Sequence, residues 1–405
     1  MGTSNGHIAI LGAGPVGLEA ALAAADSGRP FTLYEAAPEV AANVRAWGHV
    51  RLFTPWDMNV SPRMAAHLGA AGLDVPSGND FPTGDELVER LLAPVAALPE
   101  VAPRLRLGAR VAGIGRDGLL KHEEIATPQR ASRPFRLLVE AGGAEEVASA
   151  SVVLDCSGTY GHANTLGDGG IPAPGERALA GEIVRTLPDF ESEADAWRGR
   201  RVLLVGTGAS AQTAARALAA LVAADPSTEV VWAVRDTAPT WGAVDDDPLP
   251  ARAALVAEAT RLAAGGQPGV TVRTGVAVEG LARDDGRIRV TLRAGDDRED
   301  VVVDRVLALT GYVGDHGLYR QLQVHECYAT AAPIDLSAAL LGAAAGDCLD
   351  QVSHGPDVLR NPEPNFFILG IKSYGRVNQF LLRIGWDQVS DVFSLLDRPE
   401  EPAAA

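Results

Sequence analysis

Apolar and polar positions alternate in short blocks at the start of the chain. Residues 8–11 (IAIL) form an apolar run that predicts a buried strand. An Ala-rich stretch at about 15–27 stops at Gly28, which predicts a helix with a glycine at its C-terminal end. The next apolar run, 30–35 (PFTLYE), predicts a second strand. The chain therefore opens with a β-α-β unit.

The same arrangement returns in the second half of the chain. Residues 201–206 (RVLLVG) predict a strand, about 210–223 a helix, and 229–235 (EVVWAVR) a further strand. The sequence thus contains a weak duplication of one β-α-β unit rather than a short-period repeat.

The remaining elements follow from the same periodicities. Thr83 followed by Glu86 predicts a capping box at the start of a helix. Further strands are predicted at 104–114, 135–141, 150–161, 270–275, 287–295, 305–312 and 365–371, and further helices at 252–264 and 379–396. The Gly- and Pro-rich stretch 167–176 indicates a crossover between domains.

Composition limits the kind of protein. The 405 residues, 47% hydrophobic and 21% charged, indicate a globular protein of two or three domains. A net charge of −17 argues against nucleic-acid and anionic-membrane partners. No charged-then-apolar leader precedes Ile8, so we expect no secretory signal. The apolar start carries glycines, a proline and Glu19, which argues against a membrane span. Three cysteines suit a reducing compartment, so we expect a cytoplasmic protein, with a homodimer as the default assembly.

The first loop carries a G-x-G-x-x-G motif made of Gly12, Gly14 and Gly17. The first glycine suits a tight turn, the second a close approach of backbone to a pyrophosphate, and the third close packing of helix on strand. Glu35 ends the second strand, where a carboxylate accepts hydrogen bonds from ribose hydroxyls. These features predict a dinucleotide site, the alternative being a tight turn without a ligand.

The second loop reads G-x-G-x-x-A, with Gly206, Gly208 and Ala211. Its second strand ends in Arg235, and a guanidinium pairs with a 2′-phosphate that a carboxylate would repel. We therefore expect NADPH rather than NADH here, unless Arg235 is an ordinary surface residue. Two such sites in one chain suggest that the first holds FAD and that hydride passes from nicotinamide to flavin.

Together with the segments 152–161, 306–315 and 365–371, the two loops resemble those of flavoproteins with two dinucleotide-binding domains. This superfamily includes flavin-containing monooxygenases, N-hydroxylating monooxygenases and thioredoxin reductases. The resemblance implies an α/β fold of two Rossmann-like, three-layer ββα domains, with the NADP domain inserted into the FAD domain. The implied boundaries are 1–170 for the first part of the FAD domain, 171–308 for the NADPH domain, 309–398 for the second FAD part and 399–405 for a disordered tail.

Missing motifs bear on the branch of this superfamily and leave it open. It has no C-x-x-C motif, which thioredoxin reductases carry, and its late strand ends in Gly370-Ile371 rather than Gly-Asp. It also lacks the F-x-G-x-x-x-H motif of many monooxygenases, where only Gly181 and the nearby Arg185 stand. The resemblance favours an NADPH-dependent monooxygenase that oxygenates a small nucleophilic substrate with O₂ through a C4a-(hydro)peroxyflavin. The alternatives are a flavin-dependent reductase of a disulfide, quinone or metal acceptor, and a redox sensor without turnover.

The resemblance also suggests site residues. The stretch 46–62 should cover the isoalloxazine, with contacts from Trp47, Arg51, Phe53, Thr54, Trp56 and Asn59, unless it is an aromatic-rich structural loop. His49 and Arg51 are candidate catalytic groups. The other predicted FAD-binding residues are Gly12, Gly14, Pro15, Val16, Gly17, Glu35, Ala36, Val111, Cys156, Ser157, Gly158, Gly370, Lys372 and Gln379. The predicted NADPH-binding residues are Gly206, Thr207, Gly208, Ala209, Ser210, Ala211, Arg235 and Gly311.

Two further expectations concern charge and metals. Lys372 follows the late strand and would face the flavin pyrimidine, where a positive charge stabilises the reduced anionic ring; the alternative is a turn that caps the last helix. The histidines show no ligand spacing and no acid cluster accompanies them, so no metal site is expected.

Overall fold

The computed structural model describes residues 6–342, 349, 351–377 and 380–398. The predicted FAD contact Gln379 and the predicted tail 399–405 lie outside these residues. The strands are β1 (Ile8–Leu11), β2 (Phe31–Tyr34), β3 (Leu105–Arg106), β4 (Ala109–Arg116), β5 (Phe135–Ala141), β6 (Ala144–Ala150), β7 (Val152–Asp155), β8 (Ile183–Val184), β9 (Arg201–Val205), β10 (Glu229–Val234), β11 (Val270–Thr274), β12 (Ala277–Asp284), β13 (Arg287–Ala294), β14 (Asp297–Val303), β15 (Arg305–Ala308), β16 (Glu326–Cys327), β17 (Ala332–Pro333) and β18 (Phe366–Ile368). The helices are α1 (Pro15–Asp26), α2 (Ala42–Arg45), α3 (Trp56–Asn59), α4 (Pro62–Ala70), α5 (Gly84–Leu87), α6 (Ala93–Ala96), α7 (Pro128–Ser132), α8 (Ala194–Trp197), α9 (Ala209–Ala224), α10 (Pro250–Ala263), α11 (Ile334–Gly342) and α12 (Leu382–Leu396).

The chain divides into two compact units. The first unit contains residues 1–162 and 313–405, and the second unit, 163–312, is inserted between these two segments. The sequence placed the boundaries at 170/171 and 308/309. The inserted unit extends beyond both points, because Ala163 pairs with Tyr312 and the Asn164 side chain donates to the carbonyl oxygen of Thr310 at 3.1 Å.

The first unit is built on a parallel sheet with strand order β18-β7-β1-β2-β3. One face of this sheet packs against helices, mainly α1 and α12, which also contact each other. The other face packs against the antiparallel sheet β4-β5-β6, where Phe135 and Leu137 are fully buried. The core therefore lies on both faces of the parallel sheet, in three layers.

Local sequence explains the helices of this unit. Residues 16–24 of α1 are all buried, which accounts for its Ala-rich composition between a sheet and neighbouring helices. The capping box predicted at Thr83 is confirmed, since the Thr83 side chain accepts from the N–H of Glu86 and the Glu86 carboxylate accepts from the N–H of Thr83. The helix that follows runs through a π-helical turn at Val88–Leu92 into α6.

The second unit repeats this arrangement. Its parallel sheet has strand order β11-β10-β9-β15-β8, and an antiparallel sheet β12-β13-β14 shares its hydrophobic core. The helices α9 and α10 pack together and contact the parallel strands. The fold class predicted from the sequence is thereby confirmed. None of the described helices is both long and apolar enough to cross a membrane.

Candidate functional site

The first glycine loop joins β1 to α1 at the carboxyl edge of the first unit's parallel sheet. Gly12 has a φ of +96°, and a Cβ built there would lie 2.7 Å from the carbonyl oxygen of Cys156. A Cβ on Gly17 would lie 1.8 Å from the carbonyl oxygen of Gly12. Both positions require glycine, because any side chain would collide with backbone atoms.

Gly14 stands in a different environment. Apart from its chain neighbours, no atom of the described residues lies within 4 Å of the position that a Cβ would take at this residue. Gly14 is also the N-cap of α1, without a side-chain cap; Pro15 follows it, and no acidic residue occurs in the first turn. The helix N-terminus is therefore open to an anion that approaches the backbone closely, as a pyrophosphate does.

Glu35 lies directly after β2, where the sequence predicted a ribose contact. Its carboxylate accepts from the N–H of Ala13 at 2.8 Å and from the N–H of Ala37 at 2.9 Å. Each carboxylate oxygen has a further lone pair for a ligand hydroxyl. The two backbone bonds thus orient the carboxylate beside the glycine loop.

An open groove begins at Ala36, the exposed residue next to Glu35. Its volume is about 440 Å³, and Gly108, Arg110 and the turn between β5 and β6 form its other walls. This volume lies in the range of small-molecule sites, roughly 300–1,000 Å³. The predicted contact Val111 is half-buried in β4 and does not line the groove.

Cys156 follows β7 and is buried under the first glycine loop. Its Cβ lies 3.6 Å from the position that a Cβ would take on Gly17. Burial raises the pKa of the Cys156 thiol far above its usual range. Because the thiolate is the reactive form of cysteine, a buried thiol with a raised pKa suits packing under the glycine loop.

The ends of β7 and β18 carry a buried polar network. The ammonium group of Lys372 donates to Asp155 at 2.6 Å and to Ser157 Oγ at 3.2 Å. Gly370 donates its N–H to the buried Gln388 side chain of α12 at 2.8 Å. The charge of Lys372 is therefore paired with Asp155, whereas the sequence interpretation left it free to face a flavin.

Two groups of this network, Asp155 and Gln388, are absent from the sequence prediction. The signal for Asp155 is an acid at the end of the buried run 152–155 (VVLD), directly before the predicted glycine turn. For Gln388 no comparable signal exists, because its position in α12 looks like any polar residue of an amphipathic helix.

The stretch 46–62 uses several of its polar and aromatic groups internally. Trp56 is buried, with the guanidinium of Arg90 at 5.1 Å from its ring. Asn59 is also buried, and its amide donates to the carbonyl oxygens of Thr54 and Pro55, both at 2.8 Å. Trp56 and Asn59 therefore hold the loop together, where the sequence predicted contacts to a flavin ring.

The other members of this stretch are more accessible. Phe53 and Thr54 are half-buried, and Trp47 stacks with Tyr160 at 6.3 Å between ring centroids. The Trp47 indole N–H is buried without a partner among the described residues. Buried polar groups in proteins are almost always hydrogen-bonded, so an unpartnered indole N–H is uncommon.

The two candidate catalytic residues, His49 and Arg51, are both exposed. His49 is exposed and makes no hydrogen bond with the described residues. Arg51, also exposed, donates to the carbonyl oxygen of Phe81 and lies 3.7 Å from the carboxylate of Glu86. No group of the described residues orients His49 by a hydrogen bond, so an acid–base role stays a prediction.

The second glycine loop joins β9 to α9 in the second unit. Gly206 has a φ of +133°, and a Cβ there would lie 2.2 Å from the carbonyl oxygen of Leu309. In the described part of the chain, no atom outside the chain neighbours lies within 4 Å of the position of a Cβ on Gly208, which is the uncapped N-cap of α9. Ala211 is fully buried and its Cβ lies 3.3 Å from the position that a Cβ would take on Gly206. This loop also leaves its helix N-terminus open to an anion.

Arg235 lies directly after β10, in the position that Glu35 occupies after β2. It is exposed, and no hydrogen bond or ion pair joins it to another described residue. A free guanidinium at this edge can pair with a phosphate.

The loop after β10 is held against the second glycine loop by groups that the sequence did not indicate. The buried Gln212 amide donates at 2.8 Å to the carbonyl oxygens of both Thr207 and Trp241. The Trp232 indole donates to the carbonyl oxygen of Gly206 at 2.8 Å, and its ring lies 4.7 Å from that of Trp241. These contacts fix the loop next to the N-terminus of α9.

Three subjects of the sequence analysis remain: Arg185, a metal site and Gly311. Arg185 pairs with the buried Glu176 at 2.6 Å and donates to the carbonyl oxygen of Asn164 at 2.9 Å. Within the described ranges, no group of three His, Cys, Asp or Glu side chains is placed to hold a metal ion. Gly311, with a φ of +82°, follows β15 at the same sheet edge as the second loop.

Solved structures share this architecture along nearly the whole chain. The bacillithiol disulfide reductase of Bacillus cereus has a TM-score of 0.71 at 17% identity, with 96% of this chain and 98% of that chain covered. The ornithine N-hydroxylase of Kutzneria sp. 744, in a structure with reduced FAD, NADP⁺ and L-ornithine, has a TM-score of 0.63 at 15% identity and the same coverage. The thioredoxin reductase of T. acidophilum has a TM-score of 0.60 at 15% identity, again with 96% and 98% covered.

These likenesses define the fold. The chain shares its fold with a bacillithiol disulfide reductase and with an ornithine N-hydroxylase, so the same architecture occurs in enzymes of different names. No protein-family model and no curated protein matches the sequence.

Proposed function

We propose that this protein is an oxidoreductase that binds FAD in its first unit and uses NADPH bound in its second unit. The observation that carries the proposal is the pair of open, uncapped helix N-termini, each behind a glycine whose missing side chain faces empty space. Two similar sites in one chain suit NADPH as the dinucleotide that donates hydride and FAD as the dinucleotide that stays bound. FAD supplies the hydride-accepting and electron-passing chemistry, and the protein supplies position and electrostatics.

The strand ends support the assignment of one dinucleotide to each unit. Glu35 is already oriented by two backbone N–H groups and suits the ribose hydroxyls of FAD. Arg235 is free and exposed, and a guanidinium there favours the 2′-phosphate of NADPH. The groove beside Ala36 is large enough for an adenine ring.

The fold relatives add to this proposal at the level of chemistry. One is a disulfide reductase, and another was solved with reduced FAD and NADP⁺. Purified protein should be yellow or take up FAD, and it should then oxidise NADPH. A colourless protein that binds no FAD on reconstitution would overturn the proposal. A flavoprotein that binds NADPH but shows no turnover with any acceptor would instead be a redox sensor.

For the reaction we propose oxygenation of a small nucleophilic substrate. NADPH, O₂, a proton and the substrate would give NADP⁺, water and the oxygenated product. Two observations support this choice over a dithiol relay. Cys156 is buried with a raised pKa, and no disulfide or C-x-x-C pair stands among the described residues.

A disulfide reductase is the second candidate, favoured by Cys327. This partly exposed residue has a thiol pKa lowered to about 7, mainly by a hydrogen bond from Thr330 and then by one from Ser337. A thiol with such a pKa is partly thiolate at neutral pH and can attack a disulfide. The balance would be NADPH, a proton and a disulfide giving NADP⁺ and two thiols.

Cysteine replacement and product analysis separate the two reactions. We expect Cys327→Ser to leave NADPH oxidation unchanged, with one O₂ consumed per NADPH and little H₂O₂ released once the right amine, thioether or ketone is present. Cys156→Ser serves as the buried comparison. Loss of turnover in Cys327→Ser, together with thiol formation from a disulfide in the native protein, would replace the oxygenase with the reductase.

A further inference from the structure

The network at the ends of β7 and β18 contains an ion pair that the proposed function does not use. The side chains of Asp155 and Lys372 are both 0% exposed. A Cβ on Gly314 would lie 2.5 Å from the aliphatic stem of Lys372, so the absence of a side chain there makes room for the lysine. The ring of Tyr319, 5.1 Å from the ammonium group, covers another side. The pair is therefore fixed in place.

This ion pair determines which hydrogen bond the Ser157 hydroxyl donates and which one it accepts. A carboxylate only accepts hydrogen bonds and an ammonium group only donates them. The Ser157 hydroxyl must therefore donate to Asp155, at 2.6 Å, and accept from Lys372, at 3.2 Å. The Ser157 N–H also donates to Asp155, at 3.1 Å. Ser157 is left with one acceptor lone pair and no donor, and the residue is exposed.

The sheet topology tells which part of a dinucleotide reaches Ser157. Chain order reverses at β1, which pairs with β2 on one side and with β7 on the other. In such sheets a dinucleotide lies across the carboxyl edge at this point. Glu35 marks the adenosine side after β2, so the other half extends over the end of β7. The Cα of Ser157 lies 3.0 Å from the position of a Cβ on Gly12, directly beside the glycine loop.

We propose that Ser157 accepts a hydrogen bond from a hydroxyl of the FAD ribityl chain, and that Asp155 and Lys372 are positioning residues that keep its acceptor side toward the ligand. This inference rests on the proposed function, because it takes FAD as the dinucleotide of the first unit. In FAD the ribityl chain follows the pyrophosphate directly and carries the hydroxyl donors that a serine without a free proton requires.

The test compares FAD with ADP, which has the adenosine and the pyrophosphate but no ribityl chain. We expect Ser157→Ala to weaken FAD binding about fivefold, the usual effect of losing one neutral hydrogen bond, and to leave ADP binding unchanged. Ser157→Thr keeps the hydroxyl and should restore FAD affinity. Ser149→Ala, on the exposed face of β6, is the matched control and should change neither affinity.

The ion pair is tested by replacing both partners at once. Removing either alone leaves a buried charge unpaired and destabilises the fold, so we use the neutral double variant Asp155→Asn with Lys372→Met. It should weaken FAD about as much as Ser157→Ala, and adding Ser157→Ala to it should cause no further loss. Thermal unfolding checks its stability, and should it fail to fold, the Ser157 variants decide the matter.

Three results would overturn either the ribityl contact of Ser157 or the proposed function. Native FAD affinity in Ser157→Ala rules out the ribityl contact, while the proposed function stands. Equal weakening of FAD and ADP places Ser157 at the pyrophosphate and also rules the contact out. A native protein that binds ADP but not FAD overturns the proposed function itself.

Discussion

The two glycine loops share a backbone and differ in the residues around it. In both, the first glycine has a positive φ and the second faces empty space at an uncapped helix N-terminus. The third position differs. Gly17 lies so close to the carbonyl oxygen of Gly12 that no Cβ fits, whereas the second loop has a buried alanine, Ala211, at this position. The first two glycines, which both loops share, suit phosphate binding. The third position differs because each helix packs against its own strand.

The two loops also differ in how their helices are held. Glu19 is buried in the middle of α1, where it accepts a hydrogen bond from Ser61 at 2.5 Å and pairs with Arg63. Burial raises the pKa of Glu19 despite these partners. α9, all of which is described, buries no charged side chain. The first site therefore rests on a helix fixed by ionic contacts, and the second on one held by apolar packing and Gln212.

The largest effect is expected at the third position of the first loop. Gly17→Ala should destabilise the protein by about 3 kcal/mol, because the new methyl group collides with a backbone carbonyl that cannot move freely. The reverse change in the second loop, Ala211→Gly, should cost only about 1 kcal/mol, the usual cost of a helical glycine. Chemical denaturation measures both. Similar values for the two variants would mean that the loops are packed alike.

The second position should respond in the opposite way. Gly14→Ala should destabilise the protein by less than about 1 kcal/mol, the difference between glycine and alanine at an N-cap, since the methyl group enters empty space and the backbone, at φ −84° and ψ −173°, suits alanine. The methyl group occupies the approach of a pyrophosphate, so FAD affinity should fall about tenfold, the cost of one charge-assisted hydrogen bond. Gly208→Ala is the counterpart, and it should weaken NADPH but not FAD. FAD binding of native strength in a folded Gly14→Ala variant would remove the phosphate from this loop.

The strand ends give a prediction about selectivity. Arg235→Ala should weaken NADPH binding about tenfold and leave NADH nearly unchanged, because only NADPH carries a phosphate for the guanidinium. Arg287→Ala removes another exposed arginine from the second unit and is the matched control. Titration with both nucleotides measures the ratio. If the two affinities fall together, Arg235 contributes a general charge and not 2′-phosphate recognition.

The sequence predicted the backbone elements better than it predicted the contacts between side chains. Motif spacing and strand periodicity predicted the strands of both parallel sheets except β8, because G-x-G-x-x-G and short apolar runs are local patterns. The predicted strand 104–114 is divided in the structure into β3 and β4, which belong to different sheets. The strands β12 and β14 were not predicted, since their outer residues are charged and their apolar positions are few. Helix α4 was also missed, although Ser61 as N-cap and Pro62 as first helical residue are recognisable signals.

The same holds for the candidate site, where the sequence predicted individual residues but not the contacts between distant ones. The glycines and strand-end charges were found because their role depends on position along a strand or loop. The pairing of Lys372 with Asp155, 217 residues away in sequence, was not found. Neither was the internal use of Trp56 and Asn59. Such contacts depend on which distant elements pack together, and residue type alone does not encode that.

The smallest effect concerns the ionic anchoring of α1. His67 of α4 contacts Asp26, the last residue of α1, at 2.8 Å and Glu100 at 2.6 Å. Desolvation lowers the pKa of His67, but the hydrogen bonds to Glu100 and Asp26 outweigh it and raise the pKa above its usual value. A histidine with a raised folded-state pKa stabilises the protein fully below its unfolded pKa, and this stabilisation disappears as the pH rises through the folded-state pKa.

We therefore expect His67→Gln to lower the free energy of unfolding by about 0.5 kcal/mol in mildly acidic solution and to have no effect in alkaline solution. Unfolding by urea across this pH range measures the difference, and added salt should reduce it because the group is partly exposed. Thr213→Val on the surface of α9 is the comparison in the second unit, and its effect should not vary with pH. A pH-independent His67→Gln effect would show that the histidine packs against α1 without carrying charge, and the contrast between an ionically held helix and an apolar one would then rest on Glu19 and Arg63 alone.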